Sequence, residues 1–479
     1  LQSQSRLVDA TASFRRALEL KPDSAEVHCN LAAALRELGK TAEAFEELSQ
    51  AIHCNPELAE ARFQLGATYQ SQNDSARAIE SYRDAIRLKP NYAEAYHNLG
   101  ALYKRLGNLA EALACYSKAL EFKPNFSEAL NNLGNVFQAQ GRAVDALVCF
   151  EQSLRISPRY PQAHFNLAAM QLAVGNFKDG WREYEWRWLC PDFPRPASIQ
   201  PRWDGKPLKG RRLLVVAEQG LGDTLQFIRY VPMLERQVGQ CAVQVQQSLV
   251  PLFTQAGFRG LVARGENLPQ HDVHVPLLSL PGFFGTTLET IPSKVPYLSA
   301  DPQHVAAWRN VLGESDNVRV GIAWQGSATH RSDRFRSIAL TQFAPLALPG
   351  VELVNLQKGA GREQLAEATH TFRVRDLGPH VDEAHGAFVD TAAIMTNLDL
   401  VVTSDSAVAH LAGALGVAVW VALPLGADWR WLLEREDSPW YPTMRLFRQS
   451  ELDHWPDVFR RIAAALGQQL QGRGLRARQ

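Results

Sequence analysis

Proline recurs at Pro22, Pro56, Pro90, Pro124 and Pro158, each 34 residues after the last. No other feature constrains the fold as much. A period of this length marks one supersecondary unit that must stack on its neighbours to bury its apolar face. Within each unit small residues stand twelve before the proline (Ala10, Ala44, Ala78, Ala112, Ala146) and five before it (Ala17, Ala51, Ala85, Ala119, Ser153). Large ones stand eight before it: Phe14, Leu48, Tyr82, Tyr116 and Phe150. The helices after the prolines carry Leu31-Ala32, Leu65-Gly66, Leu99-Gly100, Leu133-Gly134 and Leu167-Ala168. Small residues let two antiparallel helices approach, large ones fill the gaps, and proline ends the second helix. Gly107 and Gly141 mark turns inside repeats.

This pattern resembles the tetratricopeptide repeat (TPR) family over residues 1–188 and implies an α-solenoid, a TPR superhelix. A second rhythm of 34 residues sets Asn30, Gln64, Asn98, Asn132 and Asn166 ahead of the Leu-Gly or Leu-Ala pairs. In TPR superhelices that position faces the concave groove. Carboxamides spaced along a groove can pair with the N–H and C=O of an extended peptide without reading its sequence. The array resembles the asparagine ladder of the O-GlcNAc transferase family, which makes these five residues candidates for holding an acceptor peptide. The alternative is bonding between repeats alone. The last repeat decays into Trp181, Trp186 and Trp188, expected to be apolar glue between the solenoid and the C-terminal half, with sugar stacking as the other reading. Pro191, Pro194, Pro196 and Pro201 mark a linker over 189–210.

Composition narrows the partners. Lys plus Arg number 50 and Asp plus Glu number 50, which argues against a general nucleic-acid or membrane-surface binder. No apolar run reaches the length of a membrane span. The first residues look like the second half of a repeat and not like a signal peptide, so more solenoid is expected ahead of Leu1. None of the six cysteines forms a CxxC pair and the histidines are scattered, so a cytoplasmic setting and no metal site are expected.

From Arg211 onward strands and helices alternate, which implies parallel sheets. Strands are predicted at Leu213–Val216, Ala242–Val245, Gly260–Ala263 and Val273–Val275, with a glycine loop from Glu218 to Asp223 after the first. Residues 211–300 thus form one Rossmann-like half. A second half, residues 301–479, begins with a helix and the strand at Val318. It continues through the loop THRSDRFRSI, a helix from Leu340, strands at Val351–Leu356 and around Phe372–Leu377, and a helix over Phe388–Asn397. Then comes VVTSDSAVAHLAGALGVAVWVALP, read as strand, polar turn, short helix and strand, and a terminal helix from Trp455 closes the chain. Small residues in that short helix let it pack on the sheet, and its free backbone N–H groups point into the crevice at the strand ends, where parallel sheets bind phosphate.

Two such halves facing a cleft are the GT-B glycosyltransferase plan. GLGD at Gly220–Asp223, followed by RYVP at 229–232, and SDSAVAHLAGALG at Ser404–Gly416, resemble the heptosyltransferase family; the whole arrangement resembles bacterial TPR-containing glycosyltransferases, including those that modify flagellin. That resemblance implies an inverting, metal-independent glycosyl transfer from a nucleotide-sugar to Ser or Thr of a protein acceptor, flagellin being one candidate, held in the TPR groove. Asp223 is then the general base, or the cap of a helix beginning at Thr224. The leaving phosphate falls to the amides around Ser406 and Ala407, to Arg331, Arg334 or Arg336, and to Lys358, with Gly222, Gln357, Ser404, Asp405 and His410 beside the donor. Asp390 or Thr391 is a weaker candidate for a ribose contact. Trp429 and Trp431 read as core. The chain contains no DxD triplet, which agrees with metal-free transfer. The other readings are an enzyme of this fold acting on glycan or lipid acceptors with the TPR array as adaptor, and an inactive TPR scaffold.

Overall fold

The computed structural model describes residues 2–193, 198–328, 333–368 and 370–476. The chain folds as two compact units, Leu1–Ala163 and His164–Gln479.

In the first unit the helices are α1 (Gln2–Leu20), α2 (Ala25–Glu37), α3 (Thr41–Cys54), α4 (Ala59–Ser71), α5 (Ser75–Leu88), α6 (Ala93–Leu106), α7 (Leu109–Phe122), α8 (Ser127–Ala139) and α9 (Ala143–Ile156). Every second helix stops two residues before its proline. Proline disfavours the α region for the residue ahead of it, and Asn55, Lys89, Lys123 and Ser157 all have φ between −126° and −145° with ψ of 80–94°. The turn inside each repeat needs positive φ. Gly39, Gly107 and Gly141 supply it, and Asn73 (φ 59°) stands in at the same register.

The pairs α2/α3, α4/α5, α6/α7 and α8/α9 pack as hairpins. Ala44, Ala78, Ala112 and Ala146 are fully buried, as are Leu48, Tyr82, Tyr116 and Phe150. A Cβ on Gly66 would lie 2.8 Å from the Tyr82 ring, on Gly100 3.0 Å from Tyr116, and on Gly134 2.5 Å from Phe150. In the first repeat the large residue is the smaller Leu48, and Ala32 replaces the glycine in the same core cluster. First helices also touch from repeat to repeat, α2 to α4, α4 to α6 and α6 to α8, which sets them along one side of the stack.

The second unit opens with the end of the repeat pattern. Trp181, from the helix Phe177–Tyr184, is buried, donates its indole N–H to Thr286 O at 3.0 Å, and meets Phe227 and Trp429 edge-on. Its role is apolar packing. Two parallel sheets come next. The first has the order β3-β2-β1-β4, from β1 (Leu213–Val216), β2 (Ala242–Val245), β3 (Leu261–Ala263) and β4 (Val273–Pro276). The second has the order β6-β5-β7-β8-β9, from β5 (Val318–Ala323), β6 (Val351–Asn355), β7 (Leu400–Ser404), β8 (Val419–Leu423) and β9 (Met444–Arg448). The strands are apolar along most of their length, as strands covered on both faces must be. The terminal helix Trp455–Arg476 buries Val458, Phe459, Ile462 and Leu466 in the core of the second sheet.

Three expectations are corrected here. The stretch around Phe372–Leu377 is a loop that joins the ladder at an isolated Val354–Arg375 bridge and is tied to β6 by side-chain bonds from Asn355 to Asp376 and from Arg375 to Glu352. The segment after Leu340 is a 3-10 helix over Leu340–Leu346, because Pro345 within it cannot donate to an α-helical bond. Thr403 and Ser404, expected in a polar turn, are the fully buried end of β7; their small polar side chains disguise a strand.

Candidate functional site

β1 and β7 both end at loops that lead directly into helices, and these two helix starts meet. The helix Leu221–Phe227 begins with Leu221 and Gly222, and a Cβ on Gly222 would lie 3.0 Å from His410 Cδ2 and 3.4 Å from Ala407 Cα. His410 and Ala407 belong to the helix Ala407–Ala414. Glycine is therefore what lets the carboxyl ends of the two sheets close on each other. That junction is where open parallel sheets bind ligands.

Two buried arginines cross the junction in opposite directions. Arg229, from the RYVP segment, donates to Trp440 O at 2.8 Å, Pro292 O at 3.0 Å and Tyr297 Oη at 2.8 Å, with its guanidinium over the Tyr297 and Tyr441 rings. Arg430, from the second half, pairs with Asp223, donates to Gln226 Oε1 at 2.7 Å and to Asp428 Oδ1 at 2.9 Å, and lies over Trp429. Burial works against the Arg430 charge, but Asp428 and Asp223 more than offset it and its pKa is raised. Asp223 also accepts from its own Gly220 N–H at 2.8 Å. Both its oxygens are engaged, and its side chain keeps 20% exposure. Asp223 is not the N-cap expected from the sequence: the helix begins at Leu221 with Gly220 as its cap, and Asp223, the third helical residue, accepts the cap's N–H instead; a base role needs one oxygen released from Arg430.

Around the second helix start the groups are buried and mutually adjusted. Asp405 is pushed up to about 6, by burial first and then by the Asp428 carboxylate, with Arg336 and Arg430 pulling the other way. Asp428 is held low; burial opposes this and Arg430 outweighs it. His410 is pushed down to about 3 by burial and then by Arg430, so it is a neutral imidazole; its Nδ1 lies 3.0 Å from Tyr441 Oη and its ring stacks on Trp431. Ser406 Oγ is 3.3 Å from Thr403 Oγ1, and Ser404 Oγ is buried without a partner among the described residues. The amides of Ala407 and Val408 open the helix, where no intrahelical acceptor exists for them. Trp429 and Trp431 are core, as expected.

The remaining candidates are scattered more widely. Arg336 lies against Gly326, where a Cβ would come 2.8 Å from its guanidinium, and among the described residues its Nε is buried without a hydrogen-bond partner, with Asp333 Oδ1 3.7 Å away. Arg334 is exposed and Arg331 lies outside the described residues. Gln357 is internally saturated: its carbonyl accepts from Trp324 N at 3.0 Å and Gln325 N at 2.9 Å, and its amide donates to Gln325 O at 3.1 Å and Ala360 O at 2.8 Å. Lys358 is exposed and its ammonium binds Val381 O. Asp390 and Thr391 are bonded within the fold, to Trp308 and Asp382.

Sequence reasoning missed Arg229, Asp428, Arg430 and Tyr441 as site residues. One signal was available for Arg430, a charge bracketed by Trp429 and Trp431 just after a buried strand. A cavity of about 740 Å³ lies elsewhere, lined by Trp181, Arg202, Trp203, Phe283 and Thr286 among others. Size alone therefore does not single out the junction.

In the first unit Asn30 is exposed. Gln64 accepts from Arg36 at 2.7 Å and donates to Glu60 at 2.8 Å. His97 links two rungs, with Nδ1 3.2 Å from Asn98 Oδ1 and Nε2 2.9 Å from the Asn132 amide of the next repeat. Asn166 is buried in the second unit. Gln64, Asn98 and Asn132 thus already bond to neighbouring side chains, part of them between repeats.

Comparison with known proteins agrees with the repeat analysis. Residues 33–73, 71–107 and 102–141 match the TPR repeat model, and residues 13–46 and 127–157 match tetratricopeptide repeat models; TPR repeats are present. The chain is 30% identical over 328 residues to Protein FlbA of Caulobacter vibrioides, an alignment covering 62% of this chain. The chain spans about half the length of that relative, 54% of it. Among solved structures it is similar to MamA (25% identity, 33% of this chain, 92% of that chain, TM-score 0.29) and to YrrB, described as a TPR protein with an unusual peptide-binding site (20% identity, 37% of this chain, 93% of that chain, TM-score 0.31).

Proposed function

We propose that the second unit is a glycosyltransferase of the GT-B plan, inverting and metal-independent, that moves a sugar from a nucleotide-diphosphate donor to a hydroxyl, with Ser or Thr of a protein as acceptor. The observation that carries this reading is the meeting of the Gly220–Asp223 loop and the Ser404–Ala407 turn at the carboxyl ends of two parallel sheets. Transfer needs a neutralised leaving group. The Ala407 and Val408 amides with Arg336 offer fixed positive poles, each worth a few kcal/mol when aimed at developing charge (about 3 for one donor). It also needs a base. Asp223 becomes one when an incoming diphosphate draws Arg430 away from it. The repeats present the acceptor, through whichever ladder carboxamides exchange their internal bonds for peptide bonds.

The test is a panel of UDP-, GDP-, ADP-, dTDP- and CMP-sugars, screened by thermal shift and then by mass spectrometry of co-expressed proteins. Asp223→Asn should leave donor binding within about twofold and lower transfer by about 100-fold or more. Unchanged turnover removes Asp223 as base. Asn98→Ala with Asn132→Ala should spare donor hydrolysis and lower protein modification. A second reading, a peptide-binding adaptor without chemistry, is favoured by the engagement of both Asp223 oxygens. It wins if no donor shifts the melting temperature while the repeats still bind peptide.

A further inference from the structure

We propose that His304, His385 and Asp390 form a site for a divalent transition-metal ion of the Zn²⁺ kind, separate from Asp223, Arg336, Arg430 and the Ala407 helix start on which the transfer reading rests. The three are far apart in sequence. His304 lies in the first turn of the helix Pro302–Leu312, whose cap Asp301 accepts from the His304 N–H at 3.1 Å. Asp390 lies in the first turn of the helix Val389–Thr396, and His385 in the loop ahead of it. The two helices pack together. One ligand atom from each residue falls within 4.8 Å of the others.

The geometry favours an ion over a plain ion pair. His385 Nδ1 is 3.4 Å from Asp390 Oδ1. That is long for a hydrogen bond, and it matches two ligands each about 2.1 Å from a tetrahedral centre. The ring centroids of His304 and His385 are 4.6 Å apart at 58°, so the imidazoles converge without stacking flat. Among the described residues His304 Nδ1 is buried with no hydrogen-bond partner; Asp301 Oδ1, at 3.9 Å, is too far for one, and an ion pair between the other two does not engage it. Asp390 is held by two donors, Trp308 Nε1 to Oδ1 at 3.1 Å and Asp382 N to Oδ2 at 2.8 Å. Such outer bonds orient the ligands of metal sites. Two imidazoles and a carboxylate leave the fourth position to water, and this donor set suits zinc, cobalt or nickel better than magnesium or calcium. An ion here ties the 380–388 loop, which also receives the Lys358 ammonium at Val381 O, to the Pro302–Leu312 helix.

The experiment uses the full chain, stripped with EDTA and dialysed against Co²⁺. One equivalent should bind with visible d–d absorption of the tetrahedral type, and added Zn²⁺ should abolish it. Zn²⁺ should raise the melting temperature of the stripped protein. His304→Ala and His385→Ala should each weaken binding about 100-fold while far-ultraviolet circular dichroism stays unchanged. Absence of stoichiometric binding overturns the proposal. So does binding that both substitutions leave untouched, since the ion would then sit elsewhere. Sugar transfer, if present, should persist in both variants, so this result stands or falls independently of the transfer reading.

Discussion

The hairpins of the first unit and the junction between the two sheets solve the same problem differently. Each brings two helices close enough to need a glycine. In the repeats the glycine faces an aromatic ring, and the contact is apolar and recurs at Gly66, Gly100 and Gly134. At the junction Gly222 faces His410, the contact occurs once, and buried Arg229 and Arg430 hold it. Repeated apolar contacts share a load and degrade gradually. A single junction built on charges removed from water fails when one partner is lost, because the other is left buried and unpaired.

Arg430→Met should give the largest effect. It strands the Asp223 and Asp428 carboxylates, whose side chains keep 20% and 37% exposure, so the loss falls below that of a fully buried pair, at about 2–3 kcal/mol. Urea unfolding of the second unit measures it. A loss below about 1 kcal/mol would mean that the arginine is a surface charge in effect, and the contrast with the repeats would collapse.

The repeat glycines should give a graded series. Alanine gains up to about 1 kcal/mol of helix propensity over glycine but must fit its Cβ, and overpacking costs about 1–3 kcal/mol. The Cβ would be 2.5 Å from Phe150 at Gly134, 2.8 Å from Tyr82 at Gly66 and 3.0 Å from Tyr116 at Gly100. Gly134→Ala should therefore destabilise by about 2 kcal/mol, Gly66→Ala by less, and Gly100→Ala by close to zero. Equal losses at all three would show that backbone freedom, not ring contact, selects glycine here.

These two regions also differ in how much of them the sequence disclosed. The repeats are periodic, so proline, alanine and aromatic positions reinforced one another, and even the helix ends came from the residue ahead of each proline. In the second unit β1, β2, β5 and β8 were legible as short apolar runs bounded by turn residues. β9 was not, because Met444–Arg448 alternates charge with apolar residues and lies in a segment full of tryptophan and proline. The site was legible only at its two loops. Asp223 and Arg430 are 207 positions apart, and His304 is far from His385; pairings of that kind carry no local pattern. Gln357 shows the opposite error. A polar side chain at the end of a strand looks available, yet here it is the bracket between two loops.

Gly222→Ala should have a smaller effect on stability than Gly134→Ala and a larger one on binding. Its nearest neighbour, at 3.0 Å, is the edge of a ring, so the helices separate by a few tenths of an ångström at a cost below about 1 kcal/mol. The same displacement shifts one loop against the other, and donor affinity or transfer should fall about 10-fold. Calorimetric binding with the best nucleotide from the panel reads this directly. A destabilised variant with unchanged affinity would make Gly222 a packing residue like those of the repeats.

The last test sharpens the contrast through pH, because the junction contains buried titrating groups whose slopes oppose each other. Asp405 is raised from 3.8 to about 6 in the fold. Its contribution to stability is fully present below its unfolded value and is lost as pH rises through about 6. His410 is lowered from 6.5 to about 3. Its contribution is present above 6.5 and is lost as pH falls toward about 3. Between pH 4 and pH 6 the two slopes work against each other, and the intact protein hides both. Substituting one should expose the other. Relative to the parent, His410→Gln should gain stability as pH falls from 6 to 4, and Asp405→Asn should lose it, each by at most about 1.4 kcal/mol per pH unit. Urea melts at four pH values give the differences, in which groups common to both proteins cancel. Parallel curves for parent and both variants would mean that water reaches these side chains, and the junction would then be an open polar surface and not a buried seam.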